Sequence, residues 1–97
     1  MSTPNDIIHQ PLRLRLMAAL TAVSQGGEGL DFKNLKTLTG ATDGNLGAHI
    51  DTLERAGYVT IEKTFSGRRP RTLVKASAAG RKAFSAHVAF LREVIGQ

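Results

Sequence analysis

The sequence predicts a mainly α fold with a small β-hairpin and a long C-terminal helix. Three observations predict it. Apolar residues recur at helical spacing in three stretches before Gly57 and again after Ser77. Just after Gly57 the period changes from 3.6 to 2: Tyr58 to Phe65 alternates and is rich in β-branched and aromatic residues, so it reads as a strand. A turn at Ser66-Gly67-Arg68-Arg69-Pro70 is then followed by a second strand-like run, Arg71 to Ala76, which closes a hairpin.

Taken in order, residues 1–10 lack a clear pattern and read as an N-terminal leader, although Ile7 and Ile8 could pack on the body or on a partner. Residues 11–97 read as one domain. Pro11 suits the first position of a helix, where its missing N–H does no harm, and that helix is expected to run to about Ser24. Leu12, Leu16, Ala19, Leu20 and Val23 form its apolar stripe, and Leu14, Met17 and Ala18 widen it. A helix this apolar is either buried on two sides or paired with a second subunit. Gln25 to Gly29 is a loop, and Leu30 is expected to form a strand of one or two residues. Asp31 suits the N-cap of a helix from Phe32 to Thr39, with Phe32, Leu35 and Leu38 as its contact set and Gly40 as its stop.

The third helix organises the chain. Thr42 or Asp43 caps it, Leu46, Ile50 and Leu53 face a core, and Gly57 ends it. Two short helices joined by a tight glycine-containing turn make a helix-turn-helix signal. The face opposite the stripe carries Gly44, Asn45, Ala48, Asp51, Thr52 and Arg55, with Gly47 and His49 on its flanks. Each helical glycine costs roughly 1 kcal/mol relative to Ala. A helix that accepts this cost while showing amides, an imidazole and bare backbone outward suits close approach by a partner, and the major groove of DNA is the expected one. Of the strands, Val59 and Ile61 are expected to face the core, and Pro70 belongs at an edge or turn because it cannot donate to the ladder. Ser77 is expected to cap the last helix, which occupies residues 77–96. Ala79, Ala83, Ala86, Phe90 and Val94 form one stripe on it, and Phe84, Val88, Leu91 and Ile95 form another. One stripe packs on the domain. The other, with help from the first helix, is expected to pair with a second copy, which makes Leu14, Met17, Ala86, Phe90 and Val94 candidate interface residues.

Composition narrows the function. The 97 residues carry a net charge of +5, and seven of the basic residues (Lys63, Arg68, Arg69, Arg71, Lys75, Arg81, Lys82) fall between positions 62 and 82 beside one acid, Glu62. That local excess points to a polyanion partner. Without cysteine there is neither a disulfide framework nor a thiolate metal site, as suits a reducing cytoplasm. The first residues lack the order of a signal peptide, and no run approaches the ~18 apolar residues that span a membrane. His9, His49 and His87 lie far apart without ligand spacing, so no metal is expected. No catalytic set or Gly-rich phosphate loop stands out, so neither an enzyme nor a cofactor is expected.

The order helix, short strand, helix, helix, strand, basic turn, strand, helix is the winged-helix layout. LDFKNLKTLTGATDGNLGAHIDTLERAGYV, followed by GRRPRT and then SAAGRKAF, resembles the short MarR-type winged-helix transcriptional regulators of bacteria and archaea over about residues 9 to 95. The resemblance implies a dimeric, sequence-specific DNA-binding protein. It places Asn45, Ala48, His49 and Thr52 on the recognition helix and Arg68, Arg69 and Arg71 on the wing. Many relatives have Leu-Thr-Glu where this chain has Ala76-Ser77-Ala78, and no acid stands at position 80 to complete a capping box. The chain is too short for most of the extra helices that enclose a ligand pocket in larger members, so no small-molecule effector is evident.

The expected roles follow from chemistry. Asn45 can pair bidentately with adenine, His49 and Thr52 can give single hydrogen bonds, and Ala48 can meet a thymine methyl. Thr42 and Gly44 lie at the helix start, where free N–H groups can hold a phosphate. Arg68 and Arg69 can follow the backbone or enter the minor groove, and Lys63 and Arg71 suit phosphates. Residues 43–56 are net acidic, so the wing must supply the attraction. The main alternative is a winged helix used as a protein-interaction module in a larger assembly. An RNA-binding role lacks an aromatic platform.

Overall fold

A computed structural model describes residues 3–23 and 25–96. Its elements are α1 (Pro11–Ala22), β1 (Leu30–Asp31), α2 (Phe32–Thr39), α3 (Asp43–Arg55), β2 (Val59–Ser66), β3 (Arg69–Ala76) and α4 (Ala78–Val94). Local chemistry sets most boundaries. Pro11 opens α1, with the Gln10 side chain accepting the Arg13 N–H as its cap. The Asp31 carboxylate caps α2 by accepting from Asn34 N at 2.7 Å. The Ser77 hydroxyl caps α4 by accepting from Gly80 N at 2.9 Å. The expected reach of the first helix to Ser24 is shortened to Ala22, and Ser24 itself lies outside the described residues.

β3 is central in a three-stranded antiparallel sheet of order β1-β3-β2. Leu30 pairs with Val74 and Asp31 with Leu73, while β2 and β3 pair from Val59↔Ala76 to Ser66↔Arg69. Only Gly67 and Arg68 connect the two long strands, and Gly67 takes φ +65°. A glycine with positive φ at the first loop position is the chemistry of a II′ hairpin, whose twist matches its strands. β2 is shifted by one residue from the expected run, β3 begins two residues earlier than expected, and Pro70 lies within β3 opposite Phe65. It is tolerated because β1 pairs only with Leu73 and Val74, leaving the outer part of β3 an edge on that side.

The core joins Leu16, Met17 and Leu20 of α1 to Leu35, Leu46, Ile50, Leu53, Val59, Val74 and Ala76. Of the two packing modes open to Ile7 and Ile8, the one on the body is found: Ile8 is fully buried in this core, and the Asn5 side-chain oxygen accepts from Ile7 N and Ile8 N to shape a turn. Two sequence expectations need correction. Leu38 is 64% exposed, because the eight-residue α2 presents only Leu35 to the core as a buried residue. Along α4 the buried positions are Gly80 and His87, with Ala83 and Phe84 packed against the core, so the inward line lies between the two expected stripes.

His87 is the one buried polar side chain among the described residues. Its Nδ1 accepts the Asn5 backbone N–H at 3.0 Å, and its Nε2 lies 3.4 Å from His9 Nδ1. The Asn5 amide also donates to the Tyr58 hydroxyl at 2.9 Å, so the N-terminal segment is fastened to both α4 and the start of the hairpin. Burial, then the neighbouring His9, push the His87 pKa down. A base whose folded-state pKa lies below its unfolded value stabilises the fold above the unfolded pKa, near 6.5, and loses that contribution as pH falls through the folded value. Denaturant unfolding is therefore expected to show lower stability at pH 5.5 than at pH 7.5. His87→Gln should flatten that difference, leaving the smaller set of groups that titrate with the same sign.

Candidate nucleic-acid interface

α3 owes its start to Thr42, whose hydroxyl accepts from Asn45 N at 3.2 Å. Of the two expected caps the structure selects Thr42. Asp43 instead occupies the first helical position and pairs with Lys36 of α2 at 2.7 Å. At the other end Gly57, with φ +82°, donates to Glu54 O, and Tyr58 N donates to Leu53 O, both at 2.9 Å. These are the paired bonds of a Schellman cap. The cap turns the chain directly into β2, so the wing departs from the end of α3, and α3 packs on β2.

Between these caps, Leu46, Ile50 and Leu53 are buried, while Thr42, Gly44, Asn45 and Ala48 are exposed and His49 and Thr52 are half-buried. The structure thus brings the six expected α3 residues onto the accessible side of one helix. No heavy atom of another part of the chain lies within 4 Å of where a Cβ would stand on Gly44 or Gly47. Neither glycine is required by packing inside the protein. Thr52 Oγ1 donates back to Ala48 O at 3.1 Å. His49 Nδ1 lies 3.0 Å from Arg13 Nη1 of α1, and burial followed by the Arg13 charge holds the His49 pKa below its ordinary value. Arg13 was not among the expected site residues, and its position at the start of an apolar helix carries no sequence signal for this contact.

The negative charge of α3 is answered locally in part. Asp51 pairs with Arg55 one turn on at 2.6 Å, and Asp43 pairs with Lys36. Such exposed pairs add little stability, but they place a cation beside Asp43 and beside Asp51.

The basic segment of the sequence divides into several settings. Arg68 and Arg69 are exposed at the wing tip, and Lys63 is exposed on β2. Arg71 instead lies half-buried near two carboxylates, with Nη1 3.6 Å from Glu28 and Nε 3.5 Å from Asp31. Its charge is offset in the free protein, which reduces what it can offer a phosphate. Arg81 donates to Thr21 O and Val23 O at 3.2 and 2.7 Å, closing the C-terminal end of α1. A groove of about 390 Å³ runs beside the wing, bounded among others by Phe32, Ser66, Pro70 and Arg71.

The expected dimer residues also separate. Met17 is fully buried within its own chain and has no surface to give to a second copy, a correction to its assignment. Leu14 is half-buried against the core. Phe90 stacks on His87, with centroids 5.8 Å apart, and so has a partner within its own chain. Ala86 is exposed, and Val94 and Ile95 are 66% and 65% exposed. No helix among the described residues is long and apolar enough to cross a membrane.

The sequence matches the family described as winged helix DNA-binding domain over residues 12–95. It is 33% identical over 82 residues to an uncharacterized protein of Methanocaldococcus jannaschii, covering 84% of this chain and 85% of that protein. The fold is similar to a transcriptional regulator homologue from Pyrococcus horikoshii OT3, with a TM-score of 0.82 and 31% identity over 93% of this chain and 85% of that one. It is also similar to NadR, solved in complex with 4-hydroxyphenylacetate, with a TM-score of 0.71 and 22% identity over 93% of this chain and 63% of that chain. A MarR-family regulator from Rhodococcus sp. RHA1 shares the fold with a TM-score of 0.65 and 22% identity, over 95% of this chain and 64% of its own. With a helix-turn-helix closed by a Schellman cap and followed at once by a basic hairpin, the chain belongs to the winged helix DNA-binding domain family.

Proposed function

We propose that the protein is a homodimeric transcriptional regulator that recognises specific duplex sites. In this reading α3 enters the major groove and the wing tip follows phosphates or the adjacent minor groove. The observation that carries the reading is the exposed polar face of α3, where Gly44 and Gly47 stand over open space. Helical glycines that no internal contact requires suit close approach by an external surface. Asn45, exposed one position from Gly44, is the base reader, and Ala48, His49 and Thr52 are secondary contacts. Lys63, Arg68 and Arg69 supply the phosphate attraction, and Thr42 at the helix start remains able to donate its hydroxyl to a phosphate. The exposed apolar end of α4 at Val94 and Ile95, with Ala86, supports pairing with a second copy. Two-fold symmetry then expects half-sites about one helical turn, ~10 bp, apart or a multiple of that.

Fluorescence anisotropy with a duplex from the protein's own upstream region and a scrambled control, at several salt concentrations, tests the reading. Asn45→Ala is expected to relax preference at one base pair per half-site by about 1–3 kcal/mol while leaving binding to the scrambled duplex unchanged. Sedimentation at micromolar concentration should return the mass of two chains. Failure of every duplex to bind at low salt would instead favour a protein-interaction module, for which exposed Leu38 and Phe65 would be the first residues to test.

A further inference from the structure

The contact between α1 and His49 decides what that histidine can say to a ligand. Arg13 is held at two other points: its backbone N–H donates to Gln10 Oε1 at 2.9 Å, and its Nε donates to the Ile7 carbonyl. The guanidinium so fixed places Nη1 3.0 Å from His49 Nδ1. A guanidinium has five donors, no acceptor and a permanent charge. His49 Nδ1 must therefore be the acceptor and carry a lone pair, so the ring proton sits on Nε2. The ring is half-buried, leaving part of it accessible beside exposed Ala48.

We propose that Arg13 is a positioning residue that fixes His49 as a neutral Nε2–H donor, so that His49 reads a hydrogen-bond acceptor on DNA and rejects a donor. The inference rests on the proposed docking of α3. In the major groove a lone donor matches purine N7, guanine O6 or thymine O4 and opposes the amino groups of cytosine and adenine. A phosphate oxygen is an acceptor of the same kind. A free histidine could turn either nitrogen outward or take up a proton, and would discriminate less. The groups one turn away on α3, Asn45, Leu46, Thr52 and Leu53, carry no charge, and Arg13 is the charged group acting on the ring. Burial and that charge both oppose protonation, so the donor stays neutral near pH 7.

Two measurements test the two halves separately. Nitrogen-15 NMR of His49 in the free protein at pH 7 is expected to show an unprotonated Nδ1 and a protonated Nε2. Arg13→Met should mix the tautomers and raise the pKa, and Arg13→Lys, which keeps a charged donor, should restore the parent pattern in part. A protonated Nδ1 in the parent protein would overturn the clamp. Duplex affinity of the parent, measured by anisotropy between pH 6.5 and 8, should be no more pH-dependent than that of His49→Ala, whereas Arg13→Met should bind more tightly as pH falls because His49 then gains charge. Replacing single purines by their 7-deaza analogues, single guanines or thymines by 6-thioguanine or 4-thiothymine, or single phosphates by methylphosphonates, should reveal one position per half-site where the parent loses roughly 3- to 10-fold in affinity. His49→Ala should lose nothing further there. A base-analogue position identifies a base contact, and a methylphosphonate position identifies a backbone contact. If no position behaves so while Asn45→Ala still alters preference, the His49 role is wrong and the docking of α3 stands. If Asn45→Ala also has no effect, the docking itself fails.

Discussion

Gly80→Ala is expected to destabilise the fold by about 3 kcal/mol or more, lowering the thermal midpoint by roughly 12–24 °C for a domain of this size. A Cβ on Gly80 would stand 2.0 Å from the Tyr58 carbonyl oxygen and 2.8 Å from its carbon. Both are backbone atoms that cannot swing aside. The first turn of α4 lies this close because Ser77 joins it to the end of α3: Ser77 N donates to Tyr58 O at 3.0 Å and Ser77 Oγ donates to Gly57 O at 2.6 Å. Accommodating a methyl would pull α4 off the turn that ends α3 and separate these bonds. Gly44→Ala is the matched control. Its Cβ meets nothing, so it should stabilise the helix by about 0.5–1 kcal/mol. Differential scanning calorimetry of both variants checks the pair, and a Gly80→Ala midpoint within about 4 °C of the parent would show that α4 shifts without loss.

Removing both wing-tip charges, Arg68→Ala with Arg69→Ala, is expected to weaken binding to every duplex by roughly 10- to 100-fold at ~0.1 M salt. Each neutralised phosphate contributes about 0.9 to the slope of log affinity against log salt, so the double variant should lose about 1.8 from that slope. Preference between specific and scrambled duplexes should persist, because phosphate contacts position and base contacts specify. Both side chains are exposed, so stability should change by no more than about 0.5 kcal/mol. An unchanged salt slope would mean that the tip does not touch DNA. Arg71→Ala should do less than either tip residue, since Glu28 and Asp31 already offset its charge.

The element order and the α3 face were legible because both depend on short-range chemistry. Caps at Asp31 and Ser77, the stop at Gly57 and the change of period after it act between residues a few positions apart. The exposed side of α3 followed once Leu46, Ile50 and Leu53 were recognised as its buried stripe. Periodicity was less informative where a helix is apolar on several sides. It could not say that Met17 is enclosed by its own chain or that the inward line of α4 runs through Gly80 and His87, because spacing shows which residues share a face and not which face finds a neighbour.

Charge shows the same division. The sequence alone determined the chain's family, its order of elements, its basic hairpin and the small, polar face of α3, since each is written in neighbouring residues. Only the tertiary structure decided that Arg71 meets Glu28 and Asp31, that Arg81 closes α1, that Asn5 fastens the N-terminal segment to His87, and that Arg13 meets His49. These contacts, the wing pairs to Glu28 and Asp31 included, join positions between 36 and 82 residues apart. Long polar side chains reach whichever carbonyl, carboxylate or ring the packed helices bring near, and that geometry exists only after the core around Leu16, Leu46 and Val74 has closed.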